Sequence, residues 1–290
     1  MAPHRRRTIR DLRKLRAAGS RLTMVTCYDY STARILDDAG VELLLVGDTL
    51  GMVVLGHEDT ISVTMEDMIH HGAAVRRGAA AAMVVVDLPF LSYQVSDEQA
   101  LMNAGRLVQE GGANAVKLEG GVEVAARVRA ITDSGIPVMG HVGMTPQSVH
   151  QKSGFRLQGT DPDSVGKLLL DVEALIAAGV FSIVLEAIPS EVAQLITARS
   201  TVPTIGIGAG PHCDGQVLVL HDLLGMYPDL EPPFAKKYVD LHATIGEAVR
   251  SFATQVRDGA FPDVAHSFAA TPEVAAYVRA LLEGGARPRQ

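Results

Sequence analysis

The stretch "NAVKLEGG", residues 114–121, combines an apolar strand pattern with two charged side chains. Its alanine, valine and leucine residues are typical of a buried β-strand, whereas Lys117 and Glu119 stand two positions apart and therefore point to the same face. An unpaired charge in a protein interior costs several kcal/mol, so this face must accept a cation and an anion side by side. We therefore expect a buried polar site at the end of this strand.

Similar runs recur along the chain, and most are continuously apolar, which is typical of parallel strands covered on both faces. The predicted strands are 22–27, 43–47, 83–87, 115–119, 136–141, 181–186, 203–208 and 216–221. The helical patterns between them are 31–39, 64–77, 96–111, 121–134, 163–178 and 189–199. Eight strands with intervening helices predict an α/β fold, a single (β/α)8 TIM-type barrel. A doubly wound open sheet is the alternative, but the first strand–helix turn, "CYDYST", has no glycine-rich dinucleotide fingerprint.

The barrel is expected to occupy residues 22–235, with helical segments on either side of it. Residues 1–21 predict an N-terminal helix, because its apolar residues recur at helical spacing. Residues 236–290 predict extra C-terminal helices that pack outside the barrel or between subunits, and the tail after residue 268 reads as one further helix.

Composition narrows the classes of protein that the chain can represent. Of its 290 residues 47% are hydrophobic, which predicts a packed core, and its net charge of −7 argues against a nucleic-acid binder. Two cysteines cannot build a disulfide framework or a zinc cluster, so a reducing cytoplasm is the expected location. No apolar run approaches the roughly 20 residues of a membrane span, so we expect no membrane partner.

Polar residues stand at the ends of five successive predicted strands. Because the active site of a (β/α)8 barrel lies at the carboxyl ends of its strands, we expect these side chains to share one site. They are Asp48 and Thr49, Asp87, Lys117 and Glu119, His141, and Glu186.

This set of side chains indicates a particular chemistry. Carboxylates from Asp48, Asp87 and Glu119 repel one another unless a cation lies between them, and all-oxygen ligation favours Mg²⁺. Lys117 then needs an anion, for which a substrate carboxylate is the natural candidate. A 2-oxo acid chelated to the metal would acidify its neighbouring C–H, and Glu186 would remove that proton to give a metal-stabilised enolate.

Several longer motifs resemble one family. They are "TCYDYSTA" (26–33), "LLVGDTLGMVVLGHEDT" (44–60), "AAVRRGA" (73–79), "DLPFLSY" (87–93), "AVKLEGG" (115–121), "GHVGMTPQSV" (140–149), "GFRLQG" (154–159), "VLEAIP" (184–189), "IGIGAGPHCDGQVLVLHD" (205–222) and "FPDVAHSF" (261–268). In this order they resemble the ketopantoate hydroxymethyltransferase (3-methyl-2-oxobutanoate hydroxymethyltransferase) family, over residues 8–268.

The resemblance implies a Mg²⁺-dependent (β/α)8 barrel that assembles as a homo-oligomer, a decamer. It implies transfer of a hydroxymethyl group from the co-substrate 5,10-methylenetetrahydrofolate to 3-methyl-2-oxobutanoate. The product is 2-dehydropantoate, in the first step of pantothenate biosynthesis. The resemblance does not identify the residues that bind the folate.

The family's site residues fall on the same positions. Its metal aspartates fall on Asp48 and Asp87, which also position the substrate, and its metal-associated glutamate falls on Glu119. Its substrate lysine falls on Lys117 and its proton acceptor on Glu186. Thr49 stands where the family often has serine and would contact the substrate carboxylate, and His141, at a neighbouring strand end, is expected to contact the substrate.

Two alternative functions remain open from the sequence. One is a related Mg²⁺-dependent barrel lyase or mutase that acts on 2-oxo acids or phosphoenolpyruvate, although the flexible loop with a catalytic cysteine common in such enzymes has no counterpart here. The other is a binding or scaffold barrel without chemistry, which would not retain the complete polar set at the strand ends.

Overall fold

The computed structural model describes residues 5–152, 154, 156–227 and 232–284. Within these ranges eight parallel strands close into a barrel in chain order, with the last strand paired to the first. The strands are Leu22–Thr26 (β1), Leu43–Val46 (β2), Met83–Asp87 (β3), Ala115–Glu119 (β4), Val138–Gly143 (β5), Ser182–Glu186 (β6), Thr204–Ile207 (β7) and Gly215–Leu218 (β8). The predicted (β/α)8 barrel is confirmed, and the open sheet is wrong.

Helices alternate with the strands along the chain and continue after the last strand. They are Ile9–Ala17 (α1), Tyr30–Asp38 (α2), Leu50–Val53 (α3), Met65–Gly78 (α4), Asp97–Gln109 (α5), Ala125–Asp133 (α6), Val149–Lys152 (α7), Pro162–Ala178 (α8), Ser190–Arg199 (α9), Leu220–Leu224 (α10), Leu241–Arg257 (α11) and Pro272–Glu283 (α12). The helix signals in the sequence are visible in the structure. Thr64 caps α4 through a reciprocal pair of hydrogen bonds with Asp67, and Gly179 ends α8 in the left-handed conformation.

At the carboxyl ends of two strands the observed boundary differs from the predicted one by more than one residue. Strand β5 continues to Gly143, so His141 lies inside the strand and not at its end. Strand β8 stops at Leu218, and the apolar residues that follow it turn into α10, where the backbone N–H of Leu220 donates to Thr26 Oγ1 at 3.0 Å. A short apolar run does not distinguish a buried strand from a buried helix, which explains the second error.

Side chains of the strands alternate between two cores. Leu43, Leu45 and Ala115 belong to the cluster inside the barrel, whereas Leu44 and Val116 belong to the layer between the strands and the helices. Because side chains alternate along a strand, the next odd-numbered residues of β4 after Ala115 also point into the barrel. The shared face that the sequence assigned to Lys117 and Glu119 is therefore the barrel interior.

The N-terminal helix covers part of this interior. Leu12 is buried in the same cluster as the inward residues of the strands, and Ile9 and Leu15 pack against it. The spacing of these three residues puts them on one face of α1, as the sequence predicted.

The chain divides after Val239 into two compact units. The second unit contains α11 and α12, and neither helix has a buried residue. The further helix predicted in the tail is α12. In the described ranges, no helix combines the length and the apolar character that crossing a bilayer requires.

Both cysteines are free and fully buried, so they serve as core thiols. Cys27 directly follows β1, and burial raises its pKa to about 12. Cys213 lies just before β8, and burial raises the pKa of this thiol as well. Neither is suited to act as a nucleophile at neutral pH, because only the thiolate form attacks.

Candidate active site

The barrel brings every predicted site residue to one cavity at the carboxyl ends of its strands. This strand-end cavity has a volume of about 60 Å³. Its polar lining includes Asp48, Thr49, Asp87, Lys117, Glu119, His141 and Glu186. The convergence follows from topology, because parallel strands in a closed barrel end on the same rim.

Two buried aspartates lie side by side on this rim. Asp87 ends β3, and Asp48 stands two residues after β2 and donates its backbone N–H to Asp87 Oδ2 at 3.1 Å. Both side chains are almost fully buried. Burial and the negative charge of Asp87 raise the pKa of Asp48 to about 7, against the lowering effect of Lys117 and of the hydrogen bond from Gln147.

Lys117 supplies the nearest positive charge. Its Nζ lies 2.9 Å from Asp87 Oδ1, and both side chains are buried. Burial lowers the pKa of Lys117, but the carboxylates of Asp87 and Glu119 outweigh burial, so the net pKa is raised and the lysine stays charged. In this structure Lys117 thus contacts a carboxylate of the protein, and its predicted contact with a substrate carboxylate remains a prediction.

Gln147 links acids at the ends of β2 and β4 and was not singled out from the sequence. Its Nε2 donates to Asp48 Oδ2 at 2.8 Å and to the carbonyl of Leu88 at 2.9 Å, while its backbone N–H donates to Glu119 Oε2 at 3.0 Å. The hydroxyl of Tyr93 donates to Gln147 Oε1 at 2.7 Å and fixes the amide orientation. Gln147 lies in the quoted motif "GHVGMTPQSV", but an uncharged residue in a loop gives no charge pattern to detect.

Glu119 is held in place by this same network. Burial raises its pKa well above the ordinary value, and the charge of Asp48 adds to the effect. Its Oε1 lies 3.6 Å from His141 Nδ1, so the imidazole ring of β5 lies between Glu119 on β4 and Glu186 on β6.

His141 also contacts Glu186, the predicted proton acceptor. His141 Nε2 lies 3.1 Å from Glu186 Oε2, and the histidine is almost completely buried, whereas 13% of the glutamate side chain is exposed. Burial lowers the pKa of His141, and the positive charge of Lys117 lowers it further. A neutral imidazole therefore lies between two carboxylates at the end of the barrel.

Thr49 and Tyr28 add two hydroxyl groups near the aspartates. Thr49 precedes α3 and lines the strand-end cavity, and its side chain makes no capping hydrogen bond with that helix. Tyr28, which sequence reasoning also missed, is buried, and its hydroxyl has no hydrogen-bond partner among the described residues. Burial raises the pKa of Tyr28, and the charges of Asp87 and Asp48 add smaller contributions in the same direction.

The residues present fit a divalent cation held by two carboxylates. Asp87 Oδ1 is buried without a hydrogen-bond donor in suitable geometry, and the pKa of Asp48 is raised by burial and by the negative charge of Asp87, so a cation beside both carboxylates would favour their ionised forms. Across the described part of the chain, no three His, Cys, Asp or Glu residues are arranged to hold one metal ion. Mg²⁺ is commonly bound by one or two carboxylates plus water and substrate, so the pair Asp48 and Asp87 suits it.

A family model and the curated relatives of this chain agree on one family. A family model described as ketopantoate hydroxymethyltransferase matches residues 6–264. A 3-methyl-2-oxobutanoate hydroxymethyltransferase from Dehalococcoides mccartyi (strain ATCC BAA-2266 / KCTC 15142 / 195) is 56% identical over 91% of this chain and 93% of its own length. A protein of the same name from Moorella thermoacetica (strain ATCC 39073 / JCM 9320) is 54% identical over 92% of this chain and 100% of its own.

Solved structures resemble the fold at much lower identity. Phosphonopyruvate hydrolase in complex with oxalate and Mg²⁺ aligns with a TM-score of 0.60 at 12% identity, covering 96% of this chain and 99% of that one. A 2,3-dimethylmalate lyase aligns with a TM-score of 0.56 at 20% identity, covering 94% and 96%. At these identities the likeness extends to the barrel fold alone.

Proposed function

Because this chain belongs to the ketopantoate hydroxymethyltransferase family and is therefore a transferase, we propose that it moves a hydroxymethyl group from 5,10-methylenetetrahydrofolate to 3-methyl-2-oxobutanoate. The product would be 2-dehydropantoate, in the first step of pantothenate biosynthesis. The observation that best supports this proposal is the strand-end cavity, which places buried carboxylates, one lysine and a more exposed glutamate around a space for a small acid.

Asp48 and Asp87 would hold a Mg²⁺ ion, with Glu119 as a further carboxylate nearby. When bound, the ion would withdraw electrons from the keto group of the substrate and make the neighbouring C–H more acidic. Gln147 would keep the carboxylate of Asp48 in a fixed orientation, because its amide already donates to Asp48 Oδ2 at 2.8 Å. Burial of these residues excludes bulk water and strengthens the electrostatic contacts.

Lys117 and Thr49 would bind the substrate carboxylate. Lys117 stays protonated in the site, because its acidic neighbours raise its pKa. Thr49 carries a hydroxyl that lines the strand-end cavity. Together they would fix the acid at one end, so that C3 of the substrate lies near the proton acceptor.

Glu186 would remove the proton from C3 of the substrate. Its side chain is more exposed than those of Asp87 and Glu119. It ends β6, which lies on the opposite side of the barrel from β2. His141, held neutral by burial, contacts Glu186 Oε2 at 3.1 Å and would orient this carboxylate. The resulting enolate carbon would then attack the one-carbon unit of the donor.

Proton removal can be tested without the folate. In D₂O with Mg²⁺, wild type should exchange the C3 hydrogen of 3-methyl-2-oxobutanoate for deuterium, followed by NMR. General base catalysis contributes roughly 10²–10⁴-fold, so Glu186→Gln should exchange at least about a hundredfold more slowly while binding substrate normally. Exchange by the variant at the wild-type rate would refute the role of Glu186, and His141 would be the next residue to replace.

The complete reaction needs its own assay. Formation of 2-dehydropantoate from both substrates should require a divalent ion, cease with a chelator and return when Mg²⁺ is restored. Product formation at the wild-type rate in metal-free protein would contradict the metal site.

We also propose a cytoplasmic location and a homo-oligomeric assembly. Both cysteines are free and buried, which suits a reducing compartment. The C-terminal helices carry apolar side chains that this chain leaves exposed, which supports contact with further copies.

A further inference from the structure

A second, larger cavity lies beside the strand-end cavity. It has a volume of about 290 Å³ and is lined by the loops after β3, β4 and β5 and by one face of α8. We name it the β4–α8 cavity. Its loops belong to the same end of the barrel as the predicted site, because they all follow the carboxyl ends of strands.

The two cavities share a wall. Glu119 lines both of them, and the segment 145–148 separates them, with Pro146 on the strand-end cavity and Thr145 and Ser148 on the β4–α8 cavity. A third cavity of about 610 Å³, near Arg21 and Phe234, has no lining residue in common with the strand-end cavity. A reactant that must meet the substrate acid is therefore better placed in the β4–α8 cavity than in the third one.

A buried carboxylate lines the β4–α8 cavity. Asp171 on α8 is only 7% exposed, and its Oδ1 accepts the backbone N–H of Val122 at 3.0 Å. Within the described ranges its Oδ2 accepts no hydrogen bond from the protein. A side chain at Gly121 would lie 2.1 Å from Asp171, so glycine is needed there for the loop to approach this carboxylate.

Lys167 stands one helical turn before Asp171 and lines the same cavity. Residues four apart on a helix lie on one face, so a ligand in the cavity can reach both. Lys167 forms no ion pair with any residue that the structure describes. Apolar side chains of Val124, Val142 and Leu168 complete the lining.

We propose that the β4–α8 cavity binds the reduced pteridine ring of the one-carbon donor, an inference that rests on the proposed function. The pyrimidine edge of such a ring presents two adjacent N–H donors, which match Asp171, and a neighbouring keto oxygen, which matches Lys167. The apolar side chains would pack against the flat ring. The strand-end cavity, at about 60 Å³, has no room for both reactants, which is why the donor needs a separate site.

The transfer balances with one water molecule. The methylene carbon of the donor breaks its bonds to two nitrogens and forms one bond to C3 of the acid and one to the water oxygen. One nitrogen receives the proton lost from C3, and the other receives a proton from water. No oxidant or reductant is needed.

The test separates donor binding from chemistry on the acid. Asp171→Asn keeps an oxygen for the Val122 N–H and places an NH₂ group where Oδ2 stood, opposing the N–H groups of the ring. Hydrogen bonds to charged groups contribute about 1.5–3 kcal/mol, so KM for methylenetetrahydrofolate should rise about 10–100-fold. The KM for the acid and the folate-free exchange of its C3 hydrogen should stay within about twofold. Lys167→Gln, at an exposed position, should raise the donor KM in the same selective way.

Glu173→Gln is the matched control, because Glu173 is exposed on α8 and lines neither cavity. An unchanged KM for the donor in both Asp171→Asn and Lys167→Gln would overturn the inference. If the wild-type protein still exchanges the C3 hydrogen in that case, the proposed function is retained. An equal loss of C3 exchange and donor affinity would also overturn it, since that pattern indicates a structural role. Absence of C3 exchange in wild type would instead refute the proposed function.

Discussion

Gln147 fixes the spacing of acids that come from different strands. One residue contacts Asp48 through its side chain and Glu119 through its backbone, and Tyr93 holds its amide in place. Such a bridge pre-organises two carboxylates that would otherwise repel each other. A neutral donor suits this position, because it favours the ionised form of Asp48 without adding charge to the site.

Replacement of Gln147 should weaken divalent-ion binding. Gln147→Leu removes the donor to Asp48, and a hydrogen bond to a charged group contributes about 1.5–3 kcal/mol, so Kd for Mg²⁺ should rise about 10–100-fold by calorimetry. Gln94→Leu is the control, because Gln94 Nε2 contacts Gln147 Oε1 at 3.3 Å, and this change leaves the Asp48 contact in place. Equal Mg²⁺ affinity in wild type and Gln147→Leu would contradict this role.

The raised pKa of Asp48 predicts that the free energy of unfolding of the metal-free protein falls as the pH rises. Its pKa is about 7 in the folded chain against 3.8 ordinarily, so the folded state holds this proton more tightly than the unfolded state. The contribution of protonated Asp48 to the free energy of unfolding is fully present below about pH 4 and is lost as the pH rises through about 7. Relative to Asp48→Asn, wild type should lose up to about 4 kcal/mol of unfolding free energy across this window.

Urea denaturation in the presence of a chelator measures this difference at each pH. Adding Mg²⁺ at pH 8 should restore stability to wild type and have little effect on Asp48→Asn. If the unfolding free energies of the two proteins differ by a constant amount from pH 4 to pH 8, Asp48 does not titrate as described.

At the scale of elements, strands and helices were predictable where the apolar pattern alone defined them. The runs at β3 and β4 matched the structure to the residue, because both are buried on both faces and end at a charged residue. The end of β5 was missed because Gly143 extends the pairing with Glu186, a partner that only the folded barrel supplies. Gln147 and Tyr93 were missed as site residues for the same reason, since loop conformation brings them to the acids.

Gly143 should be intolerant of any side chain. Its φ is +100°, and a Cβ there would lie 2.2 Å from the backbone oxygen of Glu186. Gly143→Ala should lower the unfolding free energy by more than about 1 kcal/mol and should displace Glu186, so C3 exchange should also fall. Gly135→Ala is the control, because its φ is +91° but a Cβ there meets nothing within 4 Å. Equal effects of the two changes on stability and exchange would exclude the steric contact.

At the scale of the whole molecule, the C-terminal unit exposes an apolar stripe on α11. The stripe consists of Ile245, Val249, Phe252 and Val256, whose spacing of three and four residues places them on one helix face. A charged residue in this stripe should disrupt an assembly that buries it.

Val249→Asp should therefore lower the molar mass measured by light scattering at a fixed protein concentration. Thr254→Asp is the control, because Thr254 lies on the opposite face of α11, about 180° from the stripe. A mass unaffected by Val249→Asp would place the subunit contacts elsewhere.

The two buried thiols have a use beyond packing. Cys27 follows β1, Cys213 precedes β8, and the pairing of these two strands closes the ring. A thiol-reactive dye cannot reach either sulfur while the ring stays closed, so labelling of the native protein would proceed only during transient openings. The rate of thiol labelling in the native protein would therefore measure how often the barrel opens at this pair of strands. Because the two cysteines stand at opposite ends of the β1–β8 pair, the ratio of their labelling rates would report which end of this pair opens first.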